Sequence, residues 1–181
     1  IIVKQKVGQH PHINVTDNDD MSKMERVIMK ENNACYLRYN DTLSNYNHEP
    51  FSIGKAEIIG DGKDYVIITY GIMFLTAMRV KDMLEASGKT VTLVNLRSIV
   101  PWDEQRIISA IRNAGIIVVI EDHLAYGGVS TMLSELIVQR RITGIFYAFN
   151  LQGYFKPGSL VDILDYEKLS AESIYDRIAE S

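Results

Sequence analysis

The stretch GIIVVIEDHLAYGGVSTMLSE, residues 115–135, decides how the chain is read. Ile116 to Ile120 are apolar without a break, the pattern of a strand buried on both faces. They run into Glu121, Asp122 and His123, and then into the pair Gly127-Gly128. Ser130, Met132, Leu133, Leu136 and Ile137 follow at helical spacing. In an open α/β sheet, ligands bind outside the carboxyl end of a strand, where the next helix begins. Two readings of Glu121, Asp122 and His123 stand together. One is an acid-base or substrate-contact cluster, since a histidine changes charge near neutral pH and needs a partner within reach to move a proton. The other is a solvated strand end whose carboxylates cap the following turn. Gly127 and Gly128 have a similar pair of readings, an anion cradle at a helix N-terminus or close packing of helix on strand.

Outward from this stretch the same grammar repeats. Upstream, FSIGKAEII (51–59) reads as a strand, Gly60-Asp61-Gly62 as a tight turn, and YVIIT (65–69) as a second strand. Ile72 to Ser87 is an amphipathic helix stopped by Gly88, and TVTLVNL (90–96) is a third strand. Ser98 to Trp102 is a loop, and Asp103 caps a helix over 104–113. Downstream, 143–151 is the last strand, 153–158 a loop, and 159–164 and 171–180 are helices. Strands and helices alternating at this spacing predict parallel crossovers of right-handed sense. The pair joined by the tight glycine turn must be antiparallel. The expected fold is a three-layer α/β/α sandwich on a mixed, mostly parallel five-stranded sheet whose first strand is antiparallel.

Residues 1–48 differ in texture. A short strand at 12–15, a helix begun by the turn residues 16–20 and carrying Met21, Met24, Val27 and Ile28, and a strand at 34–39 carry little apolar mass. Asn40 to Pro50 is polar and nonperiodic and reads as a linker. The division expected is 1–48, the tail end of one domain plus linker, and 49–181, an α/β domain. Arg38, at the end of the strand ACYLRY, could fork onto a phosphate or carboxylate, or make a surface ion pair.

Composition narrows the function classes. A net charge of −4 with scattered lysines and arginines gives no basic stripe for nucleic acid, and no apolar run is long enough for a membrane span. One cysteine, Cys35, excludes an internal disulfide framework and an all-cysteine zinc site, and fits a reducing compartment. The histidines, His10, His12, His48 and His123, lack metal-site spacing, so no metal ligands are expected. Neither GxGxxG, GxxxxGK[ST] nor GxSxG occurs, and no catalytic residue is assigned.

Taken together, YLRYN (36–40), FSIGKAEII (51–59), DYVIITYG (64–71), LVNLRSIVPWDEQRI (93–107), VVIEDHLAYGGVSTMLSE (118–135) and GYFKPGSLVDIL (153–164) resemble the C-terminal third of transketolase-like enzymes. The sharpest element is E-D-H-x(3)-G-G at Glu121 to Gly128, backed by I-G-K-A at Ile53 to Ala56 and P-x-D at Pro101 to Asp103. The resemblance implies a complete enzyme that uses thiamine diphosphate and a divalent metal, magnesium, and moves a two-carbon ketol unit between sugar phosphates. It implies that residues 1–48 are the end of a pyrimidine-binding-type domain and that Arg38 contacts the substrate's phosphate. It further implies a homodimeric, cytoplasmic transferase of carbohydrate metabolism. The family's cofactor-contacting glutamate and its diphosphate-metal motif are not found here, and Gly60-Asp61-Gly62 reads as a turn. The chain is therefore expected to bind neither cofactor nor metal alone. It is expected to act through the remaining domains of the enzyme or a second polypeptide of it, contributing chiefly interface. Glu121, Asp122, His123, Gly127 and Gly128 are the candidate interface or anion site. Alternatives are the C-terminal domain of a 2-oxoacid dehydrogenase β chain, deoxyxylulose-5-phosphate synthase, and a non-catalytic anion- or partner-binding module.

Overall fold

The computed structural model describes residues 10–32, 34–154 and 157–179. The loop expected at 153–158 and the last residue of the terminal helix lie partly outside these. A five-stranded sheet forms the centre, in the order β3 (Glu57–Ile59), β5 (Val91–Asn95), β4 (Tyr65–Thr69), β7 (Ile116–Leu124), β8 (Ile145–Leu151). β5, β4, β7 and β8 are parallel, and β3 alone runs antiparallel. The continuous apolar runs that predicted doubly covered strands are the central ones. Val66, Ile67, Ile68, Val118, Val119 and Ile120 have no exposed surface.

Helices cover both faces, as the alternation predicts. On one face α2 (Phe74–Ala86) and α6 (Ala171–Ala179) bury Phe74, Ala77, Val80, Leu84, Ile174 and Ile178 against Ile67, Leu93, Val118 and Ile120. On the other, α3 (Glu104–Ile111) and α4 (Val129–Arg140) bury Ile107, Ile111, Val129, Leu133 and Leu136 against Val66, Ile68, Val94, Ile117 and Val119. Each fully buried aliphatic side chain contributes roughly 1.5–3 kcal/mol. α5 (Leu160–Tyr166) opens on a capping box, with Ser159 and Asp162 exchanging hydrogen bonds, and buries none of its residues.

Three elements depart from the sequence reading. The Gly60-Asp61-Gly62 segment does not close a hairpin, because β5 lies between β3 and β4. The segment crosses the start of β5 so closely that a Cβ on Gly62 would stand 2.0 Å from the Val91 amide nitrogen. Glycine is needed there for backbone approach rather than for a two-residue turn. FSIGKAEII is a strand only over its last three residues, and Gly54 adopts a positive φ of 76° beside Pro101. The segment read as the loop 98–102 contains a strand, β6 (Ser98–Val100), that pairs antiparallel with β1 (His12–Asn14).

β6 thereby ties the N-terminal segment to the α/β unit. β1 pairs parallel with β2 (Tyr36–Arg38), giving a second sheet in the order β2-β1-β6. α1 (Asn18–Ile28) starts at Asp17, whose carboxylate accepts from the Asp20 amide at 2.9 Å, and it covers Ile13 and Val15 with Met24. The segment 40–50 has no regular secondary structure but is pinned, with Tyr46 edge-on to Phe74 and His48 fully buried.

Candidate functional site

β7 carries its hydrogen-bonding direction past its apolar run. Thr69 Oγ1 donates to the Ile120 carbonyl at 2.9 Å, and the register with β8 shifts between Ile120 and Leu124. The shift splays three successive polar side chains into different surroundings. Glu121 points inward and is completely buried. Its carboxylate accepts from the amides of Val129 at 2.8 Å and Ser130 at 3.1 Å, the first free N–H groups of α4, and from the Tyr70 hydroxyl at 3.2 Å. A carboxylate at a helix N-terminus is favoured by the unpaired amides and the helix dipole. Burial, together with the neighbouring Glu121 and Asp122 charges, pushes the Tyr70 hydroxyl far up, so it stays a donor. Gly128 is what lets this carboxylate fit: a Cβ there would stand 2.5 Å from Glu121 Oε2. The close-packing reading of that glycine is thus realised against a side chain rather than a strand backbone. Gly127 has a positive φ of 80° and open space around it.

Asp122 points the other way, to the end of β2. Its two oxygens each accept from one terminal nitrogen of Arg38, Oδ1 from Nη1 at 3.1 Å and Oδ2 from Nη2 at 2.6 Å. This is an end-on fork between residues 84 positions apart, and it joins the N-terminal sheet to the α/β unit. Burial raises the Asp122 carboxyl, while the guanidinium opposes that shift. His123 turns outward, its Nδ1 2.8 Å from the Leu124 carbonyl. Between the two parts lies a cleft of about 310 Å³, with His12, Tyr36 and Arg38 on one wall and His123, Gly128 and Met132 on the other. The strand-end stretch and Arg38, far apart in sequence, therefore meet at one place, and they do so with different jobs. Glu121 braces the floor, Asp122 holds Arg38, and His123 borders the opening.

A second polar cluster was not legible as such in the sequence. His48 sits with Nδ1 2.7 Å from Glu57 Oε2 and Nε2 3.0 Å from Asp17 Oδ2. Both ring nitrogens face carboxylate oxygens, which the doubly protonated imidazolium satisfies when both carboxylates are ionised. Ser44 Oγ also donates to Asp17, and Asn95 donates to Glu57 at 3.0 Å. Arg97 meets Asp20 at 2.5 Å and stacks over Phe51. Burial alone would lower the His48 pKa, but Glu57, Asp20 and Asp17 outweigh it and raise the value. For Glu57, burial acts upward while hydrogen bonds from His48 and Asn95 bring it below the ordinary range. A usable signal did exist: Glu57 and Arg97 are charged residues inside or abutting apolar strands, where an unpaired charge would be prohibitive. His48, in a polar run, gave none.

Among the described residues no group of three or more His, Cys, Asp or Glu side chains converges as a metal site, and no helix is long and apolar enough to cross a membrane. The cleft is thus bordered by one arginine whose two terminal nitrogens are forked onto Asp122.

The chain is an α/β/α unit with one antiparallel edge strand, braced by a buried glutamate at a strand-to-helix turn. Residues 54–174 match the family model described as the C-terminal domain of transketolase, and the chain belongs to that family. A putative transketolase C-terminal section from Methanocaldococcus jannaschii is 29% identical over 171 residues, spanning 91% of this chain and 53% of the relative. A 1-deoxy-D-xylulose-5-phosphate synthase from Prochlorococcus marinus is 30% identical over 134 residues, spanning 69% of this chain and 21% of the relative. The chain thus covers about half the length of the first relative and about a fifth of the second. In structure it is similar to a split-gene transketolase described as an inactive β4 tetramer, with a TM-score of 0.78 at 21% identity over 94% of this chain and 57% of that one. It is also similar to a transketolase point mutant from Pichia stipitis, with a TM-score of 0.67 at 17% identity over 94% of this chain and 25% of that one.

Proposed function

We propose that the chain is the C-terminal part of a thiamine diphosphate-dependent, transketolase-type transferase that moves a two-carbon ketol unit between sugar phosphates. The observation that supports this most directly is Arg38, a forked cation at the lip of a cleft formed jointly by the N-terminal segment and the family domain. In this reading Arg38 holds the substrate's phosphate, and His12 and His123 offer further polar contacts along the cleft walls. Thiamine diphosphate, when bound, supplies the nucleophilic carbanion and the electron sink. In this reading the group is held by the other domains, and the described residues here bring together no cluster of three or more His, Cys, Asp or Glu side chains. No chemical step is therefore assigned to them. They bind, orient and pack, and the cofactor with its magnesium belongs to the remaining domains of a cytoplasmic homodimer.

Contact with those domains is supported by a second surface. Met21, Ile28, Met29, Tyr36 and Leu37 line an apolar groove of about 300 Å³ on α1 and β2, with Met29 largely exposed. The same reading makes residues 1–48 the tail of a pyrimidine-binding-type domain. Mixing the chain with the complementary N-terminal part and assaying ketol transfer tests it. The expected result is activity that neither part has alone, and an N-terminal part equally active without this chain overturns it.

A second reading, deoxyxylulose-5-phosphate synthase, is favoured by the relatives of that name, which match up to 168 residues of this chain. Turnover that requires pyruvate would select it over transketolase.

A further inference from the structure

We infer that Asp122 is a positioning residue that orients Arg38 for a phosphate monoester, and the inference rests on the reading that Arg38 binds the substrate's phosphate. A guanidinium carries five N–H groups. Asp122 takes one on each terminal nitrogen in an end-on fork, which leaves Nε–H and the outer hydrogens uncommitted among the described residues. Nε–H and its neighbouring terminal N–H form the side-on edge, a second fork that matches two oxygens of a phosphate. Asp122 itself is held on a rigid element. It follows Glu121, whose carboxylate is tied to two α4 amides and to Tyr70, so the strand end cannot swing. Arg38 comes from the end of a three-residue edge strand, in which only β1 pairs with β2, and its own backbone gives it little else to fix its side chain. The fork from β7 supplies the orientation that the N-terminal sheet lacks.

The charge balance bears on what this edge will hold. Asp122 neutralises Arg38 pairwise, so the pair is a weak attractor for a singly charged or neutral group. A phosphate gains from it chiefly through directed donors, and direction depends on the fork staying fixed. Loss of Asp122 frees a long, flexible side chain and removes the pre-organisation, even though it also removes a negative charge from the neighbourhood. An orienting Asp122 and a merely competing Asp122 therefore predict opposite signs.

The experiment uses the assembled enzyme, this chain with its complementary part, and compares a ketose phosphate with the corresponding unphosphorylated ketose as donor. Arg38→Ala is expected to abolish the preference for the phosphorylated donor. Asp122→Asn is expected to raise KM for the phosphorylated donor by about ten-fold or more, the equivalent of one charge-assisted hydrogen bond, and to raise KM for the unphosphorylated donor far less. Asp122→Glu, which keeps the carboxylate, is expected to recover part of that loss, and Asp122→Asn in an Arg38→Ala background is expected to add nothing. If Arg38→Ala removes the preference while Asp122→Asn leaves KM unchanged or lowers it, the positioning role is overturned and the phosphate role of Arg38 stands. If Arg38→Ala leaves the preference intact, the phosphate reading fails, and the inference built on it fails too. Equal loss with both donors in Asp122→Asn marks a purely structural residue and likewise overturns it.

Discussion

The protein is held together in two different ways on either side of β5. Between β5, β4 and β7 the contacts are almost wholly aliphatic, and Ile67, Leu93 and Val118 pack with no polar atom to satisfy. Between β5 and the N-terminal segment the contacts are ionic, with Asp17, Asp20, His48, Glu57 and Arg97 all buried around Asn95. The apolar side tolerates imperfection, because dispersion and area burial are non-directional. The ionic side is conditional: burying charges is compensated only if each finds its partner. It is also specific, since only one docking of segment on unit pairs His48 with both Glu57 and Asp17.

That contrast can be broken from either side. The largest effect is expected from Arg97→Ala, which leaves Asp20 and Glu57 buried beside a missing cation. It should cost roughly 3–5 kcal/mol, and hydrogen exchange should show 10–50 losing protection before the five-stranded sheet does. A simultaneous loss of protection in both regions would show that the seam is not a separate unit. Next, Gly128→Ala pushes a methyl into a carboxylate that three hydrogen bonds prevent from moving. About 1–3 kcal/mol should be lost in urea unfolding, although the backbone at Gly128 (φ −82°) would accept alanine. An unchanged midpoint would mean that the Glu121 brace is loose. A smaller loss, roughly 0.5–1.5 kcal/mol with no preferential opening of either region, is expected for Ile67→Val in the apolar centre.

The smallest effect near neutrality is the response to pH, and it too separates the regions. His48 is raised above its ordinary 6.5, so its contribution is complete below that pH and is lost as pH rises through the higher folded value. Glu57 is lowered below its ordinary 4.5, so its contribution is present above 4.5 and is lost as pH falls through the lower folded value. His48 and Glu57 together favour the ionic side most between 4.5 and 6.5, Asp20, raised above its ordinary 3.8 by burial, opposes it as pH rises past that value, and the aliphatic centre does not titrate. His48→Gln should flatten the alkaline arm of a stability-pH curve, and an unchanged arm would assign that slope elsewhere.

Much of the α/β side could be read directly. The five-residue run from Ile116 to Ile120 had room for only one environment, and Asp103 and Gly88 marked helix ends where they occur. The Gly60-Asp61-Gly62 segment misled because glycine permits both a tight turn and a close backbone crossing. The choice between them depends on which strand lies alongside, and sequence does not record that. The candidate site was half legible. The residues 121–128 and Arg38 were visible as separate groups, but nothing local to either one announces that Asp122 and Arg38 meet.

By itself, then, the sequence determined the layers, the central strands with the helices between them, and the family, because these follow from periodicity and local chemistry repeated over many residues. Only the tertiary structure decided that β3 pairs with β5, that Glu121 turns inward while Asp122 turns to Arg38, and that His48 is buried between two carboxylates. Those outcomes depend on partners 8 to 84 residues away along the chain. A pairwise interaction between distant groups leaves no periodic trace in either segment, so it becomes visible only when the fold brings them together.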